Sequence, residues 1–409
     1  MDTNELAFYG GDKTISKQFQ WPVFTEAEAD AVKSVVESGD WGVSSNPDNK
    51  VALFEQQFAD YTGAKHSLSV VNGSVALRIA LIASGIRPGD EVIVPSMTFI
   101  ATASIVIEAN CIPVFVDIEN DTYNINPDCI EAAITDKTKA IIAVHFGGHS
   151  CDMKRIMDIA RKYNLFVIED ACHAHGGEYE GKKLGTIGDV GCFSFQASKN
   201  MSSGEGGIVI TNDSLLYEKI FALKNVGREL SGKWYEHFVI GCNYRLSQFQ
   251  AAILSCQLKR LDAQNALRVE NATYLNSLLE NIDGLNPIRK AKYVTQHAYH
   301  LYILRYNRSA FNDLPKERFI ELLAAEGVPC AAGYPQPLYK QPVFQNKNFL
   351  SYVIPDYVNY QTVKCPETEK ACYEECIWFV QSILLGTKKD MDLVAKAIIK
   401  VKNSLVYSS

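Results

Sequence analysis
Apolar residues along this chain recur in two rhythms. Short continuous runs (Ser67 to Val71, Glu91 to Pro95, Pro113 to Asp117, Ala140 to Val144 and Leu165 to Ile168) read as strands buried on both faces. Longer stretches between and before them (Val51 to Tyr61, Val75 to Ser84, Pro127 to Ala133, Asp152 to Tyr163) read as helices. In the last of these, Met153, Ile156, Met157 and Ala160 share one face. Thr25 ahead of Glu26 and Glu28 marks a helix start, running to about Val36. Ser96-Met97-Thr98-Phe99 is expected to open another helix, and Gly191 to Phe195 to form a further strand. Regular alternation from 51 to 212 predicts an α/β fold with a mainly parallel, doubly wound sheet.

Beyond Asp213 the pattern predicts a helix over Ser214 to Leu223 and a polar segment from Asn225 to His237. A long helix follows from about Ser247 through Leu261, with Leu279 as its furthest reach. Tyr302 to Tyr306, Lys316 to Gly327 and Met391 to Val401 alternate strand and helix again. The expected organisation is an N-terminal arm (1–20), a large domain (21–260) and a smaller C-terminal α/β domain (261–409).

Composition narrows the class. The chain has 409 residues, 47% hydrophobic and 21% charged, as in ordinary soluble domains. A net charge of −7 offers no basic footprint for nucleic acid. No apolar stretch is long enough to span a membrane, and Met1 to Glu5 lacks the basic start of a signal peptide, so the expectation is cytoplasmic. Eleven cysteines, odd in number and scattered through apolar runs, fit reduced, buried thiols. Cys372 and Cys376 lie one helical turn apart without a second ligand pair, and His145 and His149 have no carboxylate at ligand spacing; no metal is expected.

The chemistry concentrates between 166 and 207. Asp170 closes a buried strand, where a carboxylate points into the ligand crevice of an open α/β sheet. A second apolar strand delivers Lys199 into a loop of small residues ending in Gly204-Glu205-Gly206-Gly207. Pyridoxal phosphate (PLP) needs a lysine for its Schiff base, an acid opposite its pyridine nitrogen, and small residues where backbone approaches. This spacing fits that cofactor. Asn72-Gly73-Ser74 ahead of a helix offers backbone amides for an anion, with Val75 the next in line. No G-x-G-x-x-G follows the first strand, which argues against a nicotinamide oxidoreductase.

Four segments together, EDA-x-HAHG (169–176), GxxGDxGCFSFQxSKN (185–200), GEGG (204–207) and GCNYRLSQFQAA (241–252), make the chain resemble the DegT/StrS-type PLP-dependent sugar aminotransferases of fold type I, from Trp21 to Gly386. The resemblance implies that Lys199 carries PLP and shuttles the proton, and that Asp170 pairs with the pyridinium nitrogen. It places His173, where relatives often have glutamine, beside the phenolic oxygen, and Phe99 against the ring. Gly73, Ser74, Val75 and Ser194 would hold the phosphate, with Asn243 reaching it from the other subunit of a homodimer. Arg245 would meet either a substrate carboxylate or an interface acid, and the polar loop 44–50 would border the site.

Lys199 stands where sugar-dehydrating relatives carry histidine, which implies transamination from glutamine or glutamate. Gln196 and the Ala332-Gly333-Tyr334 loop resemble members acting on keto-cyclitols such as scyllo-inosose, or aminohydroxybenzoate synthases. The expected acceptor is a keto-cyclitol or keto-sugar. The alternatives are an aminohydroxybenzoate-synthase-like dehydration and aromatisation, and a PLP-binding regulator without turnover.

Overall fold
The protein is described from a computed structural model covering residues 5–42, 46 and 49–405; most of loop 44–50 lies outside them. Helix α1 (Glu26–Ser38) begins at Thr25, whose hydroxyl and Glu28 form a reciprocal cap. Helix α2 (Lys50–Thr62) leads into strand β1 (His66–Val70), and α3 (Gly73–Ala83) follows at once. The chain continues through β2 (Glu91–Pro95), α4 (Ala101–Glu108), β3 (Ile112–Val116), α5 (Pro127–Ala132), β4 (Thr138–Val144), α6 (Met153–Tyr163) and β5 (Phe166–Asp170). Two short strands, β6 (Glu178–Tyr179) and β7 (Lys182–Lys183), make a hairpin before β8 (Val190–Ser194), β9 (Gly207–Thr211), α7 (Ser214–Lys224) and the long α8 (Gln248–Leu279).

Seven strands form one sheet in the order β1-β9-β8-β5-β4-β2-β3. All pairs are parallel except those of β9, which runs antiparallel between β1 and β8. Apolar side chains cover both faces. Val92, Val94, Ile142 and Ile168 pack under α3 and α4, while Ile93, Ile141, Val167 and Phe193 pack under α2, α6 and the start of α8. Burial on both sides explains the uninterrupted apolar runs. The expected α/β fold type stands, with one strand reversed.

A second sheet, in the order β10-β12-β14-β13, comprises β10 (Leu285–Pro287), β12 (Leu301–Tyr306), β13 (Cys330–Ala331) and β14 (Cys376–Val380). The intervening β11 (Val294–Gln296) pairs instead with β6. Helix α9 (Lys316–Ala325) and the C-terminal helix Lys388–Ser404 close a third core on this sheet, in which Leu6 and Ile15 are also buried. Helix α8 runs the full length anticipated. It buries Ala251, Leu254 and Leu261 in the core of the first sheet and Ala272, Leu275 and Leu279 in that of the second.

One local expectation fails. Ser96 to Phe99 forms a bend, and the helix starts only at Ala101. Ser96 donates from both its N–H and its Oγ to the Val116 carbonyl, which ties the stretch to the end of β3. Within the polar segment after Asn225, Leu230, Trp234 and Tyr235 are exposed, as are Phe238, Val239 and Ile240 beyond it.

Candidate active site
A cavity of about 770 Å³ opens where β1, β4, β5 and β8 end and the second sheet closes over them. This is the C-terminal edge of the parallel strands, where open α/β sheets bind ligands. Of the residues singled out in the sequence, Gly73, Ser74, Phe99, Asp170, His173, Ser194 and Lys199 line it. Val75 and Asn243 do not.

Helix α3 is capped by Asn72, whose Oδ1 accepts the N–H of Val75 at 2.9 Å. The amide of Val75, expected in the anion cradle, is therefore spent, and its side chain packs on the core. Among the described residues the N–H groups of Gly73 and Ser74 meet no acceptor, so they are the two left to hold an anion. Close packing makes this possible. A Cβ on Gly73 would lie 2.7 Å from that of Ser194 and 3.0 Å from Cys172 Sγ; one on Gly207 would strike the Asn72 carbonyl at 2.5 Å.

Asp170 is the last residue of β5 and 5% exposed. Its Oδ2 accepts from Thr102 Oγ1 at 3.0 Å and its Oδ1 from the Cys172 N–H at 3.2 Å. Thr102, on α4, carried no signal in the sequence. Across the cavity, Gln196 organises the turn that presents Lys199. Its Oε1 accepts from the Ser198 N–H and Oγ at 2.8 and 2.7 Å, and its carbonyl accepts the Lys199 N–H at 2.9 Å. Burial holds the Lys199 ammonium below the ordinary lysine range, partly offset by Cys172 and Asp170. A depressed amine is the more nucleophilic one.

His173 is neutral in this setting: burial, then the Lys199 charge, push it well below the usual imidazole range. Its Nδ1 accepts the Gly147 N–H at 3.4 Å, and its ring lies 4.4 Å from that of His300. Phe99, 57% exposed, presents a free face to the cavity. Asn243 is exposed, away from its own chain's cavity, and among the described residues its side chain accepts only the Arg245 N–H, at 3.4 Å. Arg245 itself donates to Asn225 Oδ1 at 3.1 Å.

Most of the far wall was invisible beforehand. His300, Tyr334, Trp378 and Gln381 come from the second sheet and its loops, and Trp21 from the start of the chain; apart from Tyr334, in the loop already singled out, no local pattern marks them. His145 does meet a carboxylate, Glu169 at 2.9 Å, contributed by β5 rather than by any neighbour in sequence. Among the described residues no group of three or more His, Cys, Asp or Glu is placed to share a metal, and all eleven cysteines are free.

A PLP molecule fits these residues. The two open amides beside Ser194 suit a phosphate, Asp170 a pyridinium, and Lys199 an aldehyde.

The model of the DegT/DnrJ/EryC1/StrS aminotransferase family matches residues 22–398. The L-glutamine:2-deoxy-scyllo-inosose aminotransferase of Streptomyces kanamyceticus is 34% identical over 98% of this chain and 97% of its own. The crystal structure of 3-amino-5-hydroxybenzoic acid synthase superposes with a TM-score of 0.86 at 31% identity, covering 97% of this chain and all of that one. NtdA of Bacillus subtilis, crystallised with bound PMP, gives a TM-score of 0.79 at 27% identity, covering 92% and 82%. Matched end to end in sequence and fold, with a lysine and an acid facing one cavity, the chain belongs to the DegT/DnrJ/EryC1/StrS aminotransferase family and is a PLP-dependent aminotransferase.

Proposed function
We propose that the enzyme moves an amino group from glutamine or glutamate to the ketone of a keto-cyclitol of the scyllo-inosose type. The observation that carries this reading is the placement of Lys199 and Asp170 on one cavity whose far wall mixes aromatic with hydrogen-bonding side chains, Tyr334 and Trp378 beside His300 and Gln381. Such a wall suits a polyhydroxylated ring, and the scyllo-inosose relative matches along nearly the whole chain.

Bound PLP supplies an electron sink for the carbanion formed at the donor Cα. The residues supply the rest. Lys199 would hold the cofactor through its amine and, once freed, would move the proton between the donor Cα and the cofactor side. Its lowered basicity keeps that amine ready to accept a proton. Asp170, fixed by Thr102 and the Cys172 amide, holds a proton on the pyridine nitrogen by opposite charge. The amides of Gly73 and Ser74, with Ser194, anchor the phosphate. His173, neutral and with Nδ1 accepting the Gly147 N–H, would donate from Nε2 to the phenolic oxygen without adding charge, and Phe99 would cover the ring.

The working unit in this reading is a cytoplasmic homodimer with shared sites. Asn243 lies outside its own cavity, next to an exposed apolar segment carrying Trp234, Tyr235 and Ile240, which a second copy would bury. No described helix is long and apolar enough to cross a membrane.

The likeness to 3-amino-5-hydroxybenzoic acid synthase favours a second reading, dehydration and aromatisation with the same Lys199. Steady-state assay separates the two. Glutamine-dependent amination of scyllo-inosose is expected; turnover of an aminoshikimate-type substrate in its place would overturn the proposal.

A further inference from the structure
Arg268 lies on α8 and is fully buried, at 0% exposure. Buried charges are normally paired with an opposite charge, yet among the described residues no carboxylate pairs with this one. Burial alone acts on the guanidinium, pulling it down to about 9, so it stays a cation at neutral pH. Its partners are amide oxygens. Nε and Nη2 both donate to Gln381 Oε1, at 3.0 and 2.6 Å, and Nη1 donates to Asn265 Oδ1 at 2.8 Å. The ring of Trp21 lies over it, 5.6 Å from the centroid.

This grip fixes which way Gln381 faces. Arginine can only donate, so the glutamine must turn its oxygen toward Arg268 and its NH₂ group away. Gln381 lines the cavity; its amide nitrogen meets no acceptor among the described residues and is not sealed in the core. The result is a corner of the cavity wall where the unpartnered amide N–H group of Gln381 is backed by the Arg268 cation.

We propose that Gln381, turned and polarised by Arg268, receives the carboxylate of the amino-acid donor. The inference rests on the function proposed above. A ring hydroxyl of the cyclitol could accept the same hydrogen bonds, but a neutral group makes no use of the cation. Gln381 is the contacting residue, and Arg268 is the positioning residue acting through it.

Gln381→Glu tests this with little change of shape. Arg268 gains an acid partner, which holds the fold, while the cavity-facing donor becomes an acceptor and the positive field is cancelled. Two unreactive probes are titrated by calorimetry into PLP-loaded protein: glutaramate, the glutamine skeleton without its amine, and scyllo-inositol, the cyclitol without its ketone. Loss of a hydrogen bond to a charged group predicts a Kd for glutaramate raised about tenfold to a hundredfold, with that for scyllo-inositol within about twofold. Arg268→Lys, which breaks the fork and leaves Gln381 in place, should weaken glutaramate in the same direction by a smaller factor, and should raise KM for glutamine more than it lowers kcat. Unchanged glutaramate binding in Gln381→Glu overturns the proposal, as does a loss for scyllo-inositol equal to or larger than that for glutaramate. Wild-type enzyme that fails to aminate scyllo-inosose with glutamine defeats the functional reading instead; active wild type with unaltered probe binding in both variants defeats only this inference.

Discussion
Glu169 and Asp170 are adjacent carboxylates on one strand, and they face different regions of the molecule. Glu169 points below the sheet edge and is 0% exposed. His145 Nε2 lies 2.9 Å from its Oε2, which also accepts the Gly185 N–H at 2.8 Å; its Oε1 accepts the N–H groups of Ile187 and Gly188, both at 2.6 Å. Burial alone would raise its pKa, but His145 and these amides outweigh that and hold it below the usual carboxylate range. Asp170, one residue on and therefore on the opposite face, has two partners, Thr102 and the Cys172 amide, and its remaining acceptor capacity faces the cavity. Charge and burial are alike in the two. What separates the structural acid from the one proposed to face the pyridinium is how much of its hydrogen-bonding capacity the fold has already used.

The largest expected effect lies on the cavity side. Lys199→Ala should lower transamination on the order of 10⁴-fold or more, since both the covalent route and the proton shuttle go. Borohydride reduction of the loaded wild type should label Lys199, and label at another lysine would unseat the assignment. The two acids then test the contrast directly. Asp170→Asn should cost about 10²–10³-fold in kcat with the unfolding midpoint little changed. Glu169→Gln should do the reverse: the buried pair is broken, at about 3–5 kcal/mol of stability, while molecules that remain folded keep most of their turnover. The pH dependence has a fixed sign. Because the folded-state pKa of Glu169 is lowered, its contribution is present above the unfolded carboxylate value and lost as pH falls through the folded one. The acid limb of the stability curve should therefore flatten in Glu169→Gln.

The same contrast shows what could be read from residues alone. The outlook of Asp170 was legible because it ends an apolar run, where strand geometry dictates the direction of the side chain; Lys199 was legible from the glycine- and serine-rich loop that follows the next apolar strand. The cap at Thr25 and Glu28 was legible because it is local. Glu169 meeting His145 was not, since the contact joins the ends of two parallel strands whose neighbour relation no spacing encodes. The reversed β9 escaped for a similar reason: a short apolar strand looks the same in either direction. Val75 was misassigned because its amide lies beside two open ones, and only the Asn72 rotamer decides which are taken. The wall formed by Tyr334, Trp378 and Gln381 lies more than 130 residues beyond Lys199 in the chain and is assembled only when the second sheet docks.

Asn243 extends the comparison across the proposed dimer. If it serves a partner's phosphate, replacing it by alanine removes one hydrogen bond to a charged group, about 1.5–3 kcal/mol, and PLP affinity should fall roughly tenfold to a hundredfold. Mixing Lys199→Ala chains with a strongly impaired Asn243 variant should then regain activity through heterodimers, since both lesions fall in one site and the other is intact. No recovery despite verified chain exchange would mean that Asn243 acts within its own subunit.

The smallest effect should come from Thr102, and it is the most discriminating. Thr102→Val keeps the shape and removes the hydroxyl that donates to Asp170 Oδ2. The Cys172 amide still holds the other oxygen, so the loss should stay within about tenfold in kcat/KM, near the low end for a hydrogen bond to a charged group. What matters is how it combines. If Thr102 works only by fixing Asp170, then adding Thr102→Val to Asp170→Asn should cost little beyond Asp170→Asn alone, because residues in one network are not additive. Added to Glu169→Gln, measured per folded molecule, it should cost its full increment, because the two face different regions. Full additivity with Asp170→Asn would show that Thr102 acts elsewhere, on the turn it shares with Thr98 at 3.2 Å, and would remove the support assigned here to the reactive acid.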